Sequence, residues 1–272
     1  MPTIIDGKAI PMFYEIVRDT VTNIKHVALE SVADNVFNYS YGNSKLGKKR
    51  VLNFGMSIYH TCDHKCGCYK EKKCYGMAGT FTFGSNMKRA AENFKFYISH
   101  PAADMVKMLQ RVINDNPKIK LFRYFEIGDI PKKDFINIMV ELAENNPDIR
   151  FWTYTKKYMF VNSWLNDHSG YLPENLTIIF SHWMNDNGTY YPMPNPYNMP
   201  TSEFIPLGME HLKDTVTHIC PCSDPNVKSE CFNCDHPCHE LKRGESMALL
   251  EHSTSRTKAR DKAIRAAKAL LK

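Results

Sequence analysis

The sequence predicts an α/β protein built as a partial (β/α)6 barrel with a C-terminal cysteine-rich extension, and three observations carry that expectation. Short β-rich runs recur along the chain: VLNFGMSI from Val51, KIKLFRYFEI from Lys118, DIRFWTYT from Asp148 and NLTIIFSHW from Asn175. After the first interval they start about thirty residues apart, the length of one strand–helix unit in a parallel sheet. Segments of helical periodicity fill the intervals, and the first run empties into a loop dense in cysteine, at the strand end where barrels of this kind carry their chemistry.

Taken in order, residues 1–50 form an N-terminal extension with a helix-like stretch near residues 12–36 and a polar approach, NYSYGNSKLGKKR. After the first strand and its loop, Pro101 opens a helix that sets Met105, Met108, Leu109, Val112 and Ile113 on one face and closes at Asn116 and Pro117. The next helix starts at Pro131 and stacks Phe135, Ile138, Met139, Leu142 and Ala143, and a third, KKYMFVNSWLNDH, starts at Lys156. These stripes read as core. A Pro- and Asn-rich loop over residues 185–200, with Pro192, Pro194, Pro196 and Pro200, is too long for a connector and reads as a lid or surface wrap. EFIPLG from Glu203 and DTVTHIC from Asp214 bring the strands to about six, so the barrel spans residues 51–219, followed by a cysteine cluster over 220–252 and a tail over 253–272.

A chain of 272 residues, 43% hydrophobic and 24% charged, can bury a full core as one large domain or two small ones. It has no apolar run long enough for a membrane span and no signal-peptide pattern at its start, which points to the cytoplasm. Nine cysteines in a reducing compartment, odd in number and tightly grouped, favour metal over disulfides. The net charge of +6 is local. Residues 253–272 hold seven basic side chains against Asp261 alone, and the remainder carries 28 of each sign. Any attraction to a polyanion therefore belongs to the tail, whose Ala, Lys and Arg content favours a basic amphipathic helix with Ala263, Ile264, Ala267, Leu270 and Leu271 along a narrow stripe. Such a helix either docks on the barrel with solvated lysines or serves as an arm for nucleic acid.

The loop YHTCDHKCGCYKEKKCYG brings together Cys62, Cys66, Cys68 and Cys74, with His60 and His64 among them. A loop can wrap an ion or cluster while the preceding strand fixes its position. The second group, CPCSDPNVKSECFNCDHPCHE, supplies Cys220, Cys222, Cys231, Cys234 and Cys238 beside His236 and His239. Its core spacing, Cys231-x2-Cys234-x3-Cys238, suits metal, and either zinc or a 4Fe-4S cluster takes four such thiolates. The remaining strand ends offer Glu126, Gly128 and Asp129, then Tyr154, Thr155 and Lys156, then Ser181, His182 and Trp183, all expected to meet Cys220 and Cys222 at one mouth. Asp129 also fits a cap before Pro131, and Arg89 and Asn93, one turn apart, face either that mouth or solvent.

A cysteine loop after the first strand followed by Gly128-Asp129-Ile130-Pro131 after the second resembles the radical S-adenosylmethionine (SAM) superfamily. That resemblance implies a barrel of radical SAM type, three loop thiols on a 4Fe-4S cluster, SAM on the fourth iron, and a Gly-acidic turn at its amino group. The chain more closely resembles the phage "gene product 88" family, through Cys74-Tyr75, Gly128-Asp129, Tyr154-Thr155-Lys156, and Cys220-Pro221 with Cys231, Cys234 and Cys238, over about residues 50–240. The spacing departs from Cys-x3-Cys-x2-Cys, since Tyr69 stands where a third cysteine would fall. Cys62 and Cys74 with one of Cys66 and Cys68 are then the expected ligands. The cofactor-binding set on this reading is Gly128, Asp129, Tyr75 and Ser181, and the C-terminal cysteines hold an auxiliary cluster.

Two functions follow. The first is an iron-sulfur protein that, with an electron donor, cleaves SAM reductively to modify an unknown substrate in the cytoplasm of an infected bacterial host. The second is a non-catalytic phage protein whose cysteines bind structural zinc and whose surface binds nucleic acid or a host protein.

Overall fold

Six parallel strands lie side by side in the order in which the chain makes them. The computed structural model describes residues 3–5, 8–10, 14–42, 50–71, 73–185, 187–206, 218–223 and 234–251. Two small antiparallel hairpins come first, β1 (Thr3–Ile5) with β2 (Lys8–Ile10) and β3 (Ile16–Arg18) with β4 (Lys25–Val27). The helix expected near residues 12–36 is thus corrected to a hairpin. Its sequence is rich in β-branched residues, which favour extended backbone. Asp19 Oδ1 closes the turn by accepting the amides of Val21 at 3.0 Å and Thr22 at 2.5 Å, and Asn23 takes a φ of 58°.

The main sheet has eight strands. β5 (Ser40–Tyr41) runs antiparallel at one edge; then β6 (Val51–Phe54), β7 (Leu121–Tyr124), β8 (Arg150–Thr155), β9 (Leu176–Trp183), β10 (Thr201–Ile205) and β12 (Ser246–Leu250) follow in parallel. The two-residue β11 (His218–Ile219) pairs with β12 at the far edge, so the sheet is open and closes no barrel. The strand expected in DTVTHIC is present as β11, parallel to β12, although the first four residues of that run lie outside the described set; the strand not expected is β12, which lies between β10 and β11. Part of the region expected to hold only cysteine ligands is sheet. The basic tail expected over residues 253–272 also lies outside the described residues.

Alternation along each strand sorts its side chains between two faces. Leu52, Phe54, Phe122, Tyr124, Phe151, Ile178 and Phe180 point outward and pack under helices α4 (Ala102–Asn114), α5 (Phe135–Asn145) and α6 (Tyr158–Asp167). Each such side chain contributes about 1.5–3 kcal/mol on burial, which makes this the main core. Val51, Leu121, Trp152, Ile179 and Met247 form a smaller cluster on the other, inner face, with Leu241. The helices begin later than expected: α5 at Phe135 rather than Pro131, and α6 at Tyr158 rather than Lys156. Lys156 and Lys157 instead donate their amides to Asp129 Oδ2 at 2.9 Å and Thr155 Oγ1 at 2.9 Å.

Among the described residues no helix joins β9 to β10; residues 184–185 and 187–200 form a wrap instead. Asn195 exchanges side-chain hydrogen bonds with the backbone of Met199 at 2.7 and 2.8 Å, and Asn162 donates to the Pro194 carbonyl at 2.9 Å. His182 Nδ1 lies 2.9 Å from Glu203 Oε2 and its Nε2 lies 3.2 Å from the Tyr191 carbonyl. Among the described residues no helix is long and apolar enough to cross a membrane.

Candidate functional site

The site is built where β6 ends. Beyond Phe54 the chain passes through the short α1 (Ile58–Thr61) and α2 (Gly67–Lys70), which carry Cys62, Cys66 and Cys68 around one bend before Cys74. Gly55 is needed there, because a Cβ would meet the Ile127 methyl at 2.6 Å. The turn after β7 packs against the same bend. Gly128 has a φ of 87°, and a Cβ on it would lie 2.4 Å from the Met56 carbonyl oxygen and 2.8 Å from Thr61 Oγ1. Glycine is dictated twice over, by conformation and by the approach of the cysteine loop.

Asp129 is 6% exposed and its carboxylate is fully engaged by protein. Oδ1 accepts the Ile130 amide at 2.8 Å and the Thr155 hydroxyl at 2.6 Å, Oδ2 accepts the Lys156 amide at 2.9 Å, and its own amide donates to Thr61 Oγ1 at 3.0 Å. It clamps the ends of β7 and β8 to α1. Burial pushes its acid strength down and its pKa up, against the opposing pull of these hydrogen bonds and of Lys156.

The loop thiols form a hydrogen-bonded series. Cys66 Sγ lies 3.2 Å from Cys68 Sγ, and Cys68 is in turn bonded to Cys74. The bond from Cys68 holds the Cys74 pKa below its usual value, while burial pushes Cys62 up and the bond to Cys68, with burial, pushes Cys66 up. Cys68 is pushed up to about 11. Lys156 acts electrostatically on all four: burial works against its charge, yet Cys68, Tyr158, Cys66 and Asp129 push its pKa up. Its Nζ donates to Ser181 Oγ at 3.0 Å and lies 5.5 Å from the centre of the Trp183 ring.

Tyr75 donates its hydroxyl to the Glu126 carbonyl at 2.7 Å and is half-exposed. The wrap closes on the loop through Gly67, where a Cβ would meet Trp183 at 2.4 Å and Tyr191 at 2.5 Å.

The C-terminal thiols sit elsewhere. Cys220 and Cys238 pack on the inner face against the Val51, Leu121, Trp152 and Met247 cluster, rather than at the mouth with the other strand ends. Cys238 Sγ lies 3.2 Å from Met247 Sδ and accepts a hydrogen bond from the Tyr154 hydroxyl. Cys220, Cys222, Cys234 and Cys238 act on one another electrostatically; Cys231 lies outside the described residues. All eight described cysteines are free thiols.

Thiols that share a buried bend and hydrogen-bond to one another are a donor set a thiophilic cation would ionise together. Among the described residues, however, no three His, Cys, Asp or Glu groups are placed as a finished ligand set. The 3.2 Å Cys66–Cys68 separation is a thiol contact, shorter than the roughly 3.8 Å between thiolates on one tetrahedral ion, so the bend must open slightly to ligate.

The loop histidines turn away from the thiols. His60 stacks on Phe94 at 4.8 Å and bonds Ser57 Oγ at 2.9 Å, and His64 stacks on Tyr59 at 5.7 Å. His236 stacks on His218 at 4.0 Å, and His239 lies against Trp152. Asn93 serves structure, bonding Asn38 and the Gly55 carbonyl, and Arg89 donates to the Tyr39 carbonyl. The residue the sequence left unremarked is Arg123, a cation in the middle of β7 on the inner face. Its signal was its place in the alternation of LFRY, opposite to Phe122 and Tyr124.

No curated protein and no solved structure matches the chain. The family profile described as Gene product 88 matches residues 29–204, which include the cysteine loop, the Gly128-Asp129 turn and the wrap, and on that match over more than half of its length the chain belongs to the Gene product 88 family of phage proteins.

Proposed function

We propose that this is an iron-sulfur protein of radical SAM type, with one 4Fe-4S cluster on the loop cysteines and an auxiliary one on the C-terminal group. The observation that carries the reading is the meeting of the four loop thiols with the Gly128-Asp129 turn and Lys156 at the C-terminal end of the first of six parallel strands in sequential order. That order is what a partial (β/α)6 barrel requires. Cys62, Cys74 and one of Cys66 and Cys68 would hold the first cluster, and Cys220, Cys231, Cys234 and Cys238 the second. When bound, the first cluster with SAM supplies one-electron reductive cleavage. The chain's own part is to bind and exclude. Tyr75, Ser181 and the Gly128-Asp129 turn form the walls for SAM, Asp129 fixes that turn, and the residue 184–200 wrap shields the site from water. Anaerobic incubation with dithionite and SAM tests it, with release of 5'-deoxyadenosine expected and intact SAM counting against the reaction.

A second reading, structural zinc in a non-catalytic binder, draws support from the C-terminal group. Its thiols lie among Leu241, Met247 and Trp152, where a closed site would brace the inner face. On that reading the partner is a nucleic acid, met by the basic tail, or a host protein.

A further inference from the structure

The inner face of the sheet buries polar side chains that the fold does not use. Asn53 on β6 and Arg123 on β7 are paired in register and flank each other on that face. Asn53 is 3% exposed and its Oδ1 has no hydrogen-bond partner. Arg123 Nε is likewise shielded from solvent and unpartnered. Arg123 itself is half-buried; an arginine carries five donors in a fixed fork, and shielding even one of them without an acceptor costs free energy that a ligand could recover.

The groups acting on Arg123 are Tyr75, Tyr154, Glu126 and Cys238, and among the described residues none is within ion-pair distance. Glu126, the one carboxylate among them, uses Oε1 to accept the Ser40 hydroxyl at 2.9 Å. Tyr154 presents only its ring, 5.7 Å from the guanidinium, and gives its hydroxyl to Cys238. Arg123 is thus coupled electrostatically both to Tyr75 of the cysteine loop and to Cys238 of the C-terminal group.

We propose that Arg123 and Asn53 form an oxyanion-binding subsite, in which the guanidinium takes a carboxylate or phosphate and the Asn53 amide oxygen takes an N–H or O–H donor beside it. The pairing of a fork donor with a lone acceptor one strand away suits a ligand that carries both signs of polarity within a few bonds, such as an amino acid or a phosphate monoester. Taking that ligand as the substrate rests on the function proposed above; the binding itself does not.

The test uses the full-length protein as purified. Glycine and inorganic phosphate are titrated separately by calorimetry into wild type and Arg123→Met, and the thermal midpoints without ligand are compared. One of the two ligands, the glycine zwitterion or the phosphate anion, is expected to bind wild type, telling carboxylate from phosphate, and to bind Arg123→Met at least tenfold more weakly. The unliganded variant is expected to melt no lower than wild type, because methionine keeps the aliphatic packing and removes a shielded N–H that has no acceptor. Should Arg123→Met fail to fold, Arg123→Lys decides: it keeps the charge and loses the fork, and binding at least threefold weaker is the supporting result. Neither ligand binding wild type, binding unchanged in the variant, or loss of bound metal in Arg123→Met without any effect on ligand binding would overturn the proposal, the last by making Arg123 a counter-charge to Cys238. Metal and sulfide measured on the same sample keep the two ideas apart, since zinc without sulfide ends the radical SAM reading and leaves anion binding standing.

Discussion

The Thr155 hydroxyl donates to Asp129 Oδ1 at 2.6 Å, joining the turn after β7 to the end of β8 inside a buried site. Thr155 is 1% exposed, so no water can take over the bond. Thr155→Val keeps the shape and leaves the carboxylate oxygen short of a donor. Urea unfolding is expected to show a loss of about 1–3 kcal/mol. A loss within error of zero would mean that the clamp does not hold the two strand ends.

Gly128→Ala combines strain at a φ of 87° with a 2.4 Å clash against the Met56 carbonyl, a backbone atom that cannot rotate away. The expected cost is about 2–4 kcal/mol, seen as a lowered thermal midpoint and a lower yield of folded protein. An alanine variant as stable as wild type would show that the turn and the cysteine loop are not packed as described.

His60 supplies the pH dependence. Burial, with the charges of His26 and His64, pulls its pKa down to about 4 from an ordinary 6.5. The folded state therefore prefers the neutral ring, and the unfolded chain binds the proton first. Its contribution is complete above pH 6.5 and is lost as pH falls towards 4. Since the ring is partly exposed, about 1–2 kcal/mol is expected rather than the full shift. Urea midpoints across that range should slope downward with falling pH in wild type and less so in His60→Gln; equal slopes would remove His60 as the cause.

The strands were legible because their signal is local. VLNF, LFRY, RFWTYT and LTIIFSHW each alternate between a helix-covered and an inner face, and the stripes of α4 and α5 bury the residues that periodicity selects, except that Met108 is only partly buried and Val106 is buried in addition. The N-terminal hairpin was not legible as such, since its β-branched run over residues 16–27 also fits a helical stripe and only the Asp19 turn decides. SMALL in β12 reads as a helix former by propensity; the parallel pairing with β10 overrides it. At the site, the convergence of Cys62, Cys66, Cys68 and Cys74 with Asp129 follows from a strand-end argument. That Cys220 and Cys238 pack on the inner face does not, because it depends on where the short turn at Cys238–Glu240, beside Leu241, docks, which no spacing in the sequence records.

Gly67 ties the wrap to the cysteine loop, since only hydrogen there leaves room for Trp183 and Tyr191. Gly67→Ala is expected to displace these rings and loosen residues 184–200 while leaving the distant outer core intact. Limited proteolysis should cut that segment several-fold faster in the variant with little change in thermal midpoint. Identical cleavage rates would mean that the wrap is held by its own contacts, such as Asn195 with Met199, and not by the loop.

The central claim is that both cysteine groups hold iron-sulfur clusters, and elemental analysis of the anaerobically purified full-length chain tests it most directly. Iron and acid-labile sulfide are expected in equal amounts, about eight of each per chain for two 4Fe-4S clusters. About half of each should disappear in Cys62→Ala/Cys74→Ala, and about half in Cys220→Ala/Cys238→Ala. Stoichiometric zinc with no sulfide in the wild-type protein would contradict the account.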